Sequence, residues 1–528
     1  MKAQLLLILH FLPALLFAQQ EVRFPDDFKT NALDGKEVTI TNTLTLTNNY
    51  NYTNGSVTLS NGQLLTPTEK NWPDVDMFNQ VNKANRENQI TVKQGAFSFT
   101  DANATCRIGQ TVERLTGNAS YSNGTYTLTL TRQPDFKGNE RPTSCNITEA
   151  YNLKVASFNL EHFNKSASTY SIKLNKVALA LQALEANIYA LVEVEGLVGL
   201  QELCQLLNEN SNTQKYKTRY YRENVQGMAC FIYNNETITP VGAISHNDLI
   251  NYLPDRKTAQ GFQLNSNSER FILCCNHWKS KSGTNVPEQY KDKGDGQGAY
   301  NPRRVQEAEA TLQFIEKIKK TYNDPDVLVV GDLNAYTSED PIRTLESGGL
   351  VNLLATYAPN EYSYAFFSNG SYATGYLDHS LATSTLEQQV AYACPFRINA
   401  DEPQKIDIDQ SSVQKDNMYR CSDHNPIVTF LNLGNNSTGI EDISTSRPAI
   451  RLTGDPRSGY LTLVSSTELT RVEIVSSNGQ TIASHNTAGN TEKRFNLPIK
   501  GLAHGFYLIR AYDVQSCCAT CKMVLPWW

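Results

Sequence analysis

Beyond its first twenty residues the 528-residue chain has no apolar run of about 18 residues, so no membrane-spanning helix is expected. It also lacks an excess of positive charge. The formal net charge is −6, which excludes a global basic field; any polyanion must be held by a local patch. Histidine is scarce, with 8 in the whole chain, so a His at a strand end next to other ionisable groups carries weight. The cysteine count, 11, is odd, and at least one thiol stays free or pairs elsewhere. What is present is ordinary globular material: 40% hydrophobic residues and a length that gives two to four domains with a large core.

The start, "MKAQLLLILHFLPALLFAQQ", has an early lysine, an apolar stretch and Phe17-Ala18 before two glutamines. It predicts a secretory signal over 1–18. Export permits disulfides, and Cys106 with Cys145 and Cys394 with Cys421 are the expected pairs. Cys274 and Cys275 should point to opposite faces of a strand.

Residues 29–148 are rich in Thr, Asn, Tyr and Gly. Runs such as "EVTITNTLTLTNNY" and "YTLTLTRQ" alternate with period two, which predicts an all-β domain of short strands. Tyr50, Tyr52, Tyr121 and Tyr126 are its candidates for stacking on bases. From 149 to 434 strand-like and helical runs alternate, the pattern of an α/β domain. "KLNKVALALQALEAN" puts Leu174, Val177, Leu181 and Leu184 on one helical face; "VQEAEATLQFIEKIKK" does the same with Val305, Ala308, Leu312 and Ile315. Residues 435–448 read as a polar linker, and 449–528 as a small β-sandwich.

The middle domain repeats one device: an apolar run that ends in a polar residue. "LKVASFN" ends in Asn159, "IYALVE" in Glu193, "FILCCNH" in Asn276 and His277, and "DVLVVGDLN" in Asp332 and Asn334. "GYLDHS" and "CSDHNPIVTF" place Asp378, Asp423 and His424 beside further strands. Strand tips are where α/β sheets build sites. Imidazoles, carboxylates and amides gathered there make an inventory suited to phosphodiester cleavage, which needs an aligned water and neutralised phosphate charge.

These motifs, with "KSKSG" and "DGQGAYNPRR", stand in an order that resembles the endonuclease/exonuclease/phosphatase superfamily over 150–432, and most closely its secreted bacterial nucleases. The resemblance implies a four-layer α/β sandwich preceded by an oligonucleotide-fold-like β-barrel. It implies Glu193 as principal metal ligand with Asn159 and Asp423 nearby, and Mg²⁺, or Mn²⁺ or Ca²⁺ in its place, as cofactor. His424 would be general base, oriented by Asp378. His277 would assist the leaving group or clamp the phosphate, and Asp332 and Asn334 would position water and a phosphate oxygen. Arg256, Lys279 and Lys281 would contact substrate phosphate. One element is missing: where the family has an acidic partner for the first histidine, this chain has Val225 or Gln226, with Glu223 as substitute.

"GLAHGFYLIRAYD" followed by "KMVL" resembles the sorting domain of the type IX secretion pathway, which implies a secretion-machinery partner and a secreted or cell-surface location. The expected activity is metal-dependent hydrolysis of DNA, with RNA as a second substrate. A phosphatase or phospholipase of the same fold is the first alternative and a non-catalytic binding protein the second. If the front domain only assists, its deletion should spare short substrates.

Overall fold

The structure is a computed structural model. It describes residues 20–99, 106–222, 227–250, 256–368, 370–408 and 414–434, and, within 450–525, all but 454–458, 466–467, 477–479, 488–493, 504 and 515–517. The expected signal over 1–18, and Glu223, Val225 and Gln226, lie outside the described residues. The chain divides into two compact units, Met1–Gly434 and Asn435–Trp528.

The first unit begins with strands β1 (Gln20–Val22), β2 (Glu37–Ile40), β3 (Leu44–Asn48) and β4 (Ser56–Ser60), then helices α1 (Pro67–Lys70) and α2 (Val75–Glu87). Strands β5 (Ile90–Lys93), β6 (Thr111–Val112), β7 (Leu115–Ser122) and β8 (Thr125–Leu130) follow. They form one sheet in the order β1-β2-β7-β8-β5-β4-β3-β6. Alternation sets the buried face: Ile90 and Val92 point inward from β5, and Tyr126, Leu128 and Leu130 from β8. The two helices interrupt this β region. Pro67 opens α1, and the Asp74 carboxylate accepts from the N–H groups of Asp76 and Met77 to start α2.

The α/β region follows with β9 (Leu153–Asn164), α3 (Tyr170–Leu184), β10 (Ile188–Glu195), α4 (Leu197–Asn210), β11 (Tyr216–Arg219), β12 (Met228–Asn234), β13 (Ile238–His246), β14 (Lys257–Leu264) and β15 (Arg270–His277). Then come α5 (Asn301–Tyr322), β16 (Val327–Asp332), α6 (Asp340–Ser347), β17 (Val351–Asn352), α7 (Leu353–Tyr357), β18 (Tyr364–Ser368), β19 (Ser371–Gly375), β20 (Asp378–Ala382), α8 (Ser384–Glu387), β21 (Val390–Pro395) and β22 (Ile427–Leu431). Two six-stranded sheets result, β11-β12-β10-β9-β22-β21 and β13-β14-β15-β16-β20-β17. Their facing sides share a core of Val155, Ile188, Phe262, Leu273 and Val330. Helices α3 and α4 bury Val177, Leu181, Leu184 and Leu203 on the outer face of the first sheet. Helices α5 and α6 bury Phe314, Ile315, Ile318 and Ile342 on the outer face of the second. Cys274 belongs to the outer cluster and Cys275 to the inner one, so the two do point to opposite faces. Leu174 and Leu312 are only partly buried. In α5 the buried stripe instead includes Glu307, whose carboxylate binds Lys257 Nζ at 2.9 Å.

The β region is built into the α/β region rather than tethered to it. Its hydrophobic cluster includes Tyr362, Ala365, Tyr372 and Ala400 from the later chain. Buried Arg107 pairs with Glu402, and Arg141 Nη2 lies 2.8 Å from the same carboxylate. The Ser338 N–H donates to Thr68 O at 3.0 Å, and Thr66 and Thr374 are joined by a 2.9 Å backbone hydrogen bond. Glu69 lies fully inside this seam, accepting from Thr337 Oγ1 at 2.7 Å and from the Tyr376 N–H at 3.0 Å.

Burial pushes the Glu69 carboxyl up from its ordinary 4.5 to about 7, against the pull of those hydrogen bonds. The folded chain therefore holds this proton more tightly than the unfolded one. The contribution is fully present below the unfolded value and is lost as pH rises through about 7. Melting temperatures between pH 5 and 8 should show Glu69→Gln gaining on wild type as pH rises. A pH-independent gap between the two proteins would contradict this.

Neither expected disulfide is formed. Cys106, Cys145, Cys394 and Cys421 are all free thiols, and Cys145 and Cys394, not the expected partners, bring their sulfurs to 4.0 Å. Sequence spacing does not show that the segment before β9 runs beside β21. In an oxidising compartment these two thiols should lose two hydrogens to a disulfide exchange partner and join. Peptide mapping of the exported protein without reductant should link Cys145 to Cys394; free thiols at both would count against it.

The second unit holds two antiparallel sheets. Strands β23 (Ile450–Thr453), β24 (Tyr460–Ser465) and β27 (Arg494–Pro498) form one; β25 (Leu469–Ser476), β26 (Thr481–Asn486), β28 (Gly505–Asp513) and β29 (Cys518–Leu525) form the other. One cluster, with Leu463, Val472, Ile474, Leu497 and Ile509, is shared by both. No helix among the described residues is long and apolar enough to cross a membrane.

Candidate active site

Strand register assembles most of the site. Parallel pairing of β15 with β16 sets His277 opposite Asp332, and antiparallel pairing of β16 with β20 sets Asp332 opposite Asp378. Three candidate site residues thus share one rung of the second sheet. Gly331 makes the close approach possible: at φ +127° a Cβ there would sit 1.9 Å from Asn276 O. In the first sheet Asn159 pairs with Val192, and the register shifts between Val192 and Val194, which re-aims Glu193.

The two sheets meet through Asn159, whose Nδ2 donates to Glu193 Oε1 and Asp332 Oδ2, both at 3.1 Å. His277 Nε2 lies 3.5 Å from Glu193 Oε1 and 3.7 Å from Asp332 Oδ2. The Asn334 N–H donates to Asp332 Oδ1 at 2.9 Å, and Asn334 Nδ2 donates to Asp332 Oδ2 at 3.1 Å. His424 Nδ1 is 2.6 Å from Asp378 Oδ2. Its Nε2 is 3.8 Å from Asp423 Oδ1, and its ring centroid is 4.5 Å from that of Tyr364. Glu161, His162, Glu193 and Asn334 all take left-handed backbone conformations, with φ between 48° and 60°. Such residues are uncommon and collect at active sites, where surrounding structure holds the strain.

The electrostatics separate the two histidines. Burial lowers His277 to about 4; Glu193 opposes this, while Arg256, His424 and Lys257 reinforce it. The positive neighbours are thus Arg256 and Lys257 rather than the lysines of "KSKSG". Burial also works against protonation of His424, but Asp378, Asp423 and Asp332 outweigh it and raise its affinity for a proton well above the ordinary value. Asp332 is pushed up to about 7 by burial, with Asp378 and Glu193 adding to it. Glu193 goes down to about 2: burial opposes this, but His277, the His162 N–H and the Asn159 amide prevail.

Two of the three expected phosphate contacts are engaged elsewhere. Lys281 Nζ lies 2.5 and 2.6 Å from the oxygens of buried Glu339, and Lys279 Nζ donates to Ser280 Oγ and Ser282 O. "KSKSG" and "DGQG" are joined by hydrogen bonds: Arg304 donates to Lys279 O, Gln297 O and Ala299 O, and Gln297 Nε2 donates to Asp340 Oδ2. A lysine next to a strand tip in sequence reads as a free cation; the partner that neutralises Lys281 is 58 residues away. Arg256 stays with the site, and its buried Nε has no hydrogen-bond partner among the described residues. Sequence reasoning missed Tyr364, Glu161 and His162, none of which ends an apolar run.

The donors suit a hard cation. Glu193, His277 and Asp332 bring ligand atoms within 4.8 Å of one another, as do Asp332, Asp378 and His424. Three carboxylates share this spot, and Asp332 is forced toward its neutral form without a cation. Among the described residues Asp332 stands beside Glu193 and Asn159, whereas Asp423, expected near them, joins neither group and lies by His424.

No curated protein matches the chain. An endonuclease/exonuclease/phosphatase structure from Bacteroides vulgatus is 16% identical with a TM-score of 0.38, covering 53% of this chain and 98% of its own. The mannosyl-6-phosphatase of Bacteroides thetaiotaomicron is 14% identical at 0.38, covering 53% and 99%. TDP2 of D. rerio, complexed with a single-strand DNA product, is 12% identical at 0.36, covering 53% and 98%. Residues 455–525 match the secretion system C-terminal sorting domain, which places the protein at the cell surface or outside the cell through type IX secretion. Residues 156–424, half of the chain, match the endonuclease/exonuclease/phosphatase family and span every strand tip of the site from Asn159 to His424, so the chain belongs to that family of phosphoester hydrolases.

Proposed function

We propose that the protein is a secreted nuclease that hydrolyses phosphodiester bonds of DNA, and of RNA as a second substrate. The observation that carries this reading is the 2.6 Å His424–Asp378 pair together with the Asn159–Glu193–Asp332 cluster and a buried Arg256 Nε that has no hydrogen-bond partner among the described residues. Asp378 fixes the His424 tautomer by accepting from Nδ1, and in the neutral ring, which its raised proton affinity favours only toward higher pH, Nε2 takes a proton from the attacking water. Asp378 and Asp423 then stabilise the imidazolium. Arg256 Nε donates to a phosphate oxygen, and the Nδ1 of His277, also buried without a partner among the described residues, is a second group for the phosphate or the leaving oxygen. Glu193, Asp332 and Asn159 would hold Mg²⁺, or Mn²⁺ or Ca²⁺, whose charge when bound neutralises the phosphate.

The front region resembles an oligonucleotide-fold domain and would contact the strand. Of its candidate stacking residues, Tyr126 is buried with its hydroxyl donating to Thr30 O, whereas Tyr50 is 45% exposed. The deciding experiment incubates the full chain with plasmid and single-stranded DNA, with and without chelator. Activity should vanish in chelator and return with Mg²⁺ or Mn²⁺, and Glu193→Gln should cost about 10²-fold or more. Full activity in chelator, or hydrolysis of phosphomonoesters alone, would refute the reading.

A further inference from the structure

A second cleft, of about 360 Å³, adjoins the catalytic centre and takes no part in the chemistry above. One wall is Phe78 of α2, from the front region; the others include Tyr336, Tyr364 and Phe366. The cleft shares Asn334 and Tyr364 with the catalytic centre, and the Tyr364 ring lies 4.5 Å from that of His424. Phe78 fits there because Gly296 lacks a side chain: at φ +94° a Cβ would meet Phe78 and Thr68 at 2.8 Å. Phe366, on the β18–β19 hairpin, is 49% exposed. Its ring lies nearly parallel to that of Tyr364, with centroids 6.2 Å apart.

Two polar side chains from the front region also line the cleft. Thr66, whose buried Oγ1 has no hydrogen-bond partner among the described residues, is one, and Asn82, 5% exposed, is the other. The cation on this wall, Lys281, is neutralised by Glu339. A pocket with aromatic walls, an amide, a hydroxyl, a neutralised lysine and the carboxylate of Asp292 does not suit a phosphate. It suits a flat heteroaromatic ring with hydrogen-bonding edges, and its volume lies in the usual range for small-molecule sites, about 300–1,000 Å³.

We propose that this cleft is a subsite for one unpaired nucleobase of a single-stranded nucleic acid, next to the scissile phosphate, with Phe366 and Phe78 as its aromatic walls and Asn82 reading the base edge. The proposal rests on the nuclease reading above and extends it to the form of the substrate. A paired base is stacked within its duplex and must be extruded to enter, so single strands and frayed ends are preferred.

The test uses single-stranded oligonucleotides in which one abasic residue is moved stepwise along the sequence. With wild type, an abasic residue at one position flanking the cut should lower kcat/KM about 10-fold, the range expected for one stacked base. In Phe366→Ala, whose side chain is half-exposed, the same abasic residue should have little further effect, and Phe366→Trp should restore the penalty. Asn82→Ala should alter the preference among bases at that position only. Uniform cleavage by wild type wherever the abasic residue lies would overturn the subsite and leave the nuclease intact. So would abasic and Phe366→Ala losses that multiply independently. Absence of any cleavage of nucleic acid would overturn both.

Discussion

His424→Ala is expected to lower kcat/KM by about 10³-fold or more, within the range that positioned acid–base groups supply. His424 is 6% exposed, and Asp378 Oδ2 holds its Nδ1 at 2.6 Å. His277, the other imidazole of the site, faces Glu193 and Asp332 from the neighbouring strand and does not share this carboxylate pair. Asp378→Asn should approach the same loss while keeping the size of the side chain, because an amide can present its N–H to Nδ1 and select the wrong tautomer. The double variant should be little worse than either single one, since the two residues act as a unit. His277→Gln should cost less. Burial lowers that imidazole to about 4, so it is neutral at working pH, and an amide retains a donor. Steady-state kinetics on one oligonucleotide across pH 6–9 settle the order. Should His277→Gln prove more damaging than His424→Ala throughout, the roles given to the two rings are wrong.

Deleting residues 29–148 should abolish the folded catalytic region, not merely weaken binding to long substrates. The deletion would strip Arg107 and Arg141 from buried Glu402, and the 29–148 side of the cluster from Tyr362 and Tyr372. Removing one partner of a buried ion pair costs about 3–5 kcal/mol, a large part of the roughly 5–15 kcal/mol that stabilises a domain. The fragment 149–434 should therefore be insoluble or lack a cooperative melt. A soluble fragment that melts cooperatively and cuts short substrates at the full-length rate would show that the seam is dispensable.

This seam also shows where sequence reasoning stops. Period-two alternation placed the β-strands of the front region, and polarity at or beside strand ends singled out Asn159, Glu193, His277, Asp332, Asp378 and His424, which the structure brings together, because both signals are local. The Arg107–Glu402 pair spans 295 residues and the Lys281–Glu339 pair 58, and neither leaves a local trace. The same holds for Cys145 and Cys394. The aromatic cleft was invisible for a related reason: Phe78 sits on a helix inserted into a β-patterned region, far in sequence from Phe366.

The shared rung of His277, Asp332 and Asp378 also constrains how such a protein can change over generations. Side chains alternate faces along a strand, so inserting or deleting one residue within β15, β16 or β20 would turn a functional group from one face to the other. These strands can drift by substitution but not in length. The hairpin between β18 and β19 and the insert carrying α1 and α2 have no such register to keep with the site. Descendants of this chain should therefore differ in length around the cleft and keep the spacing within those three strands fixed, so that new substrates are acquired at the rim while the hydrolytic centre stays frozen.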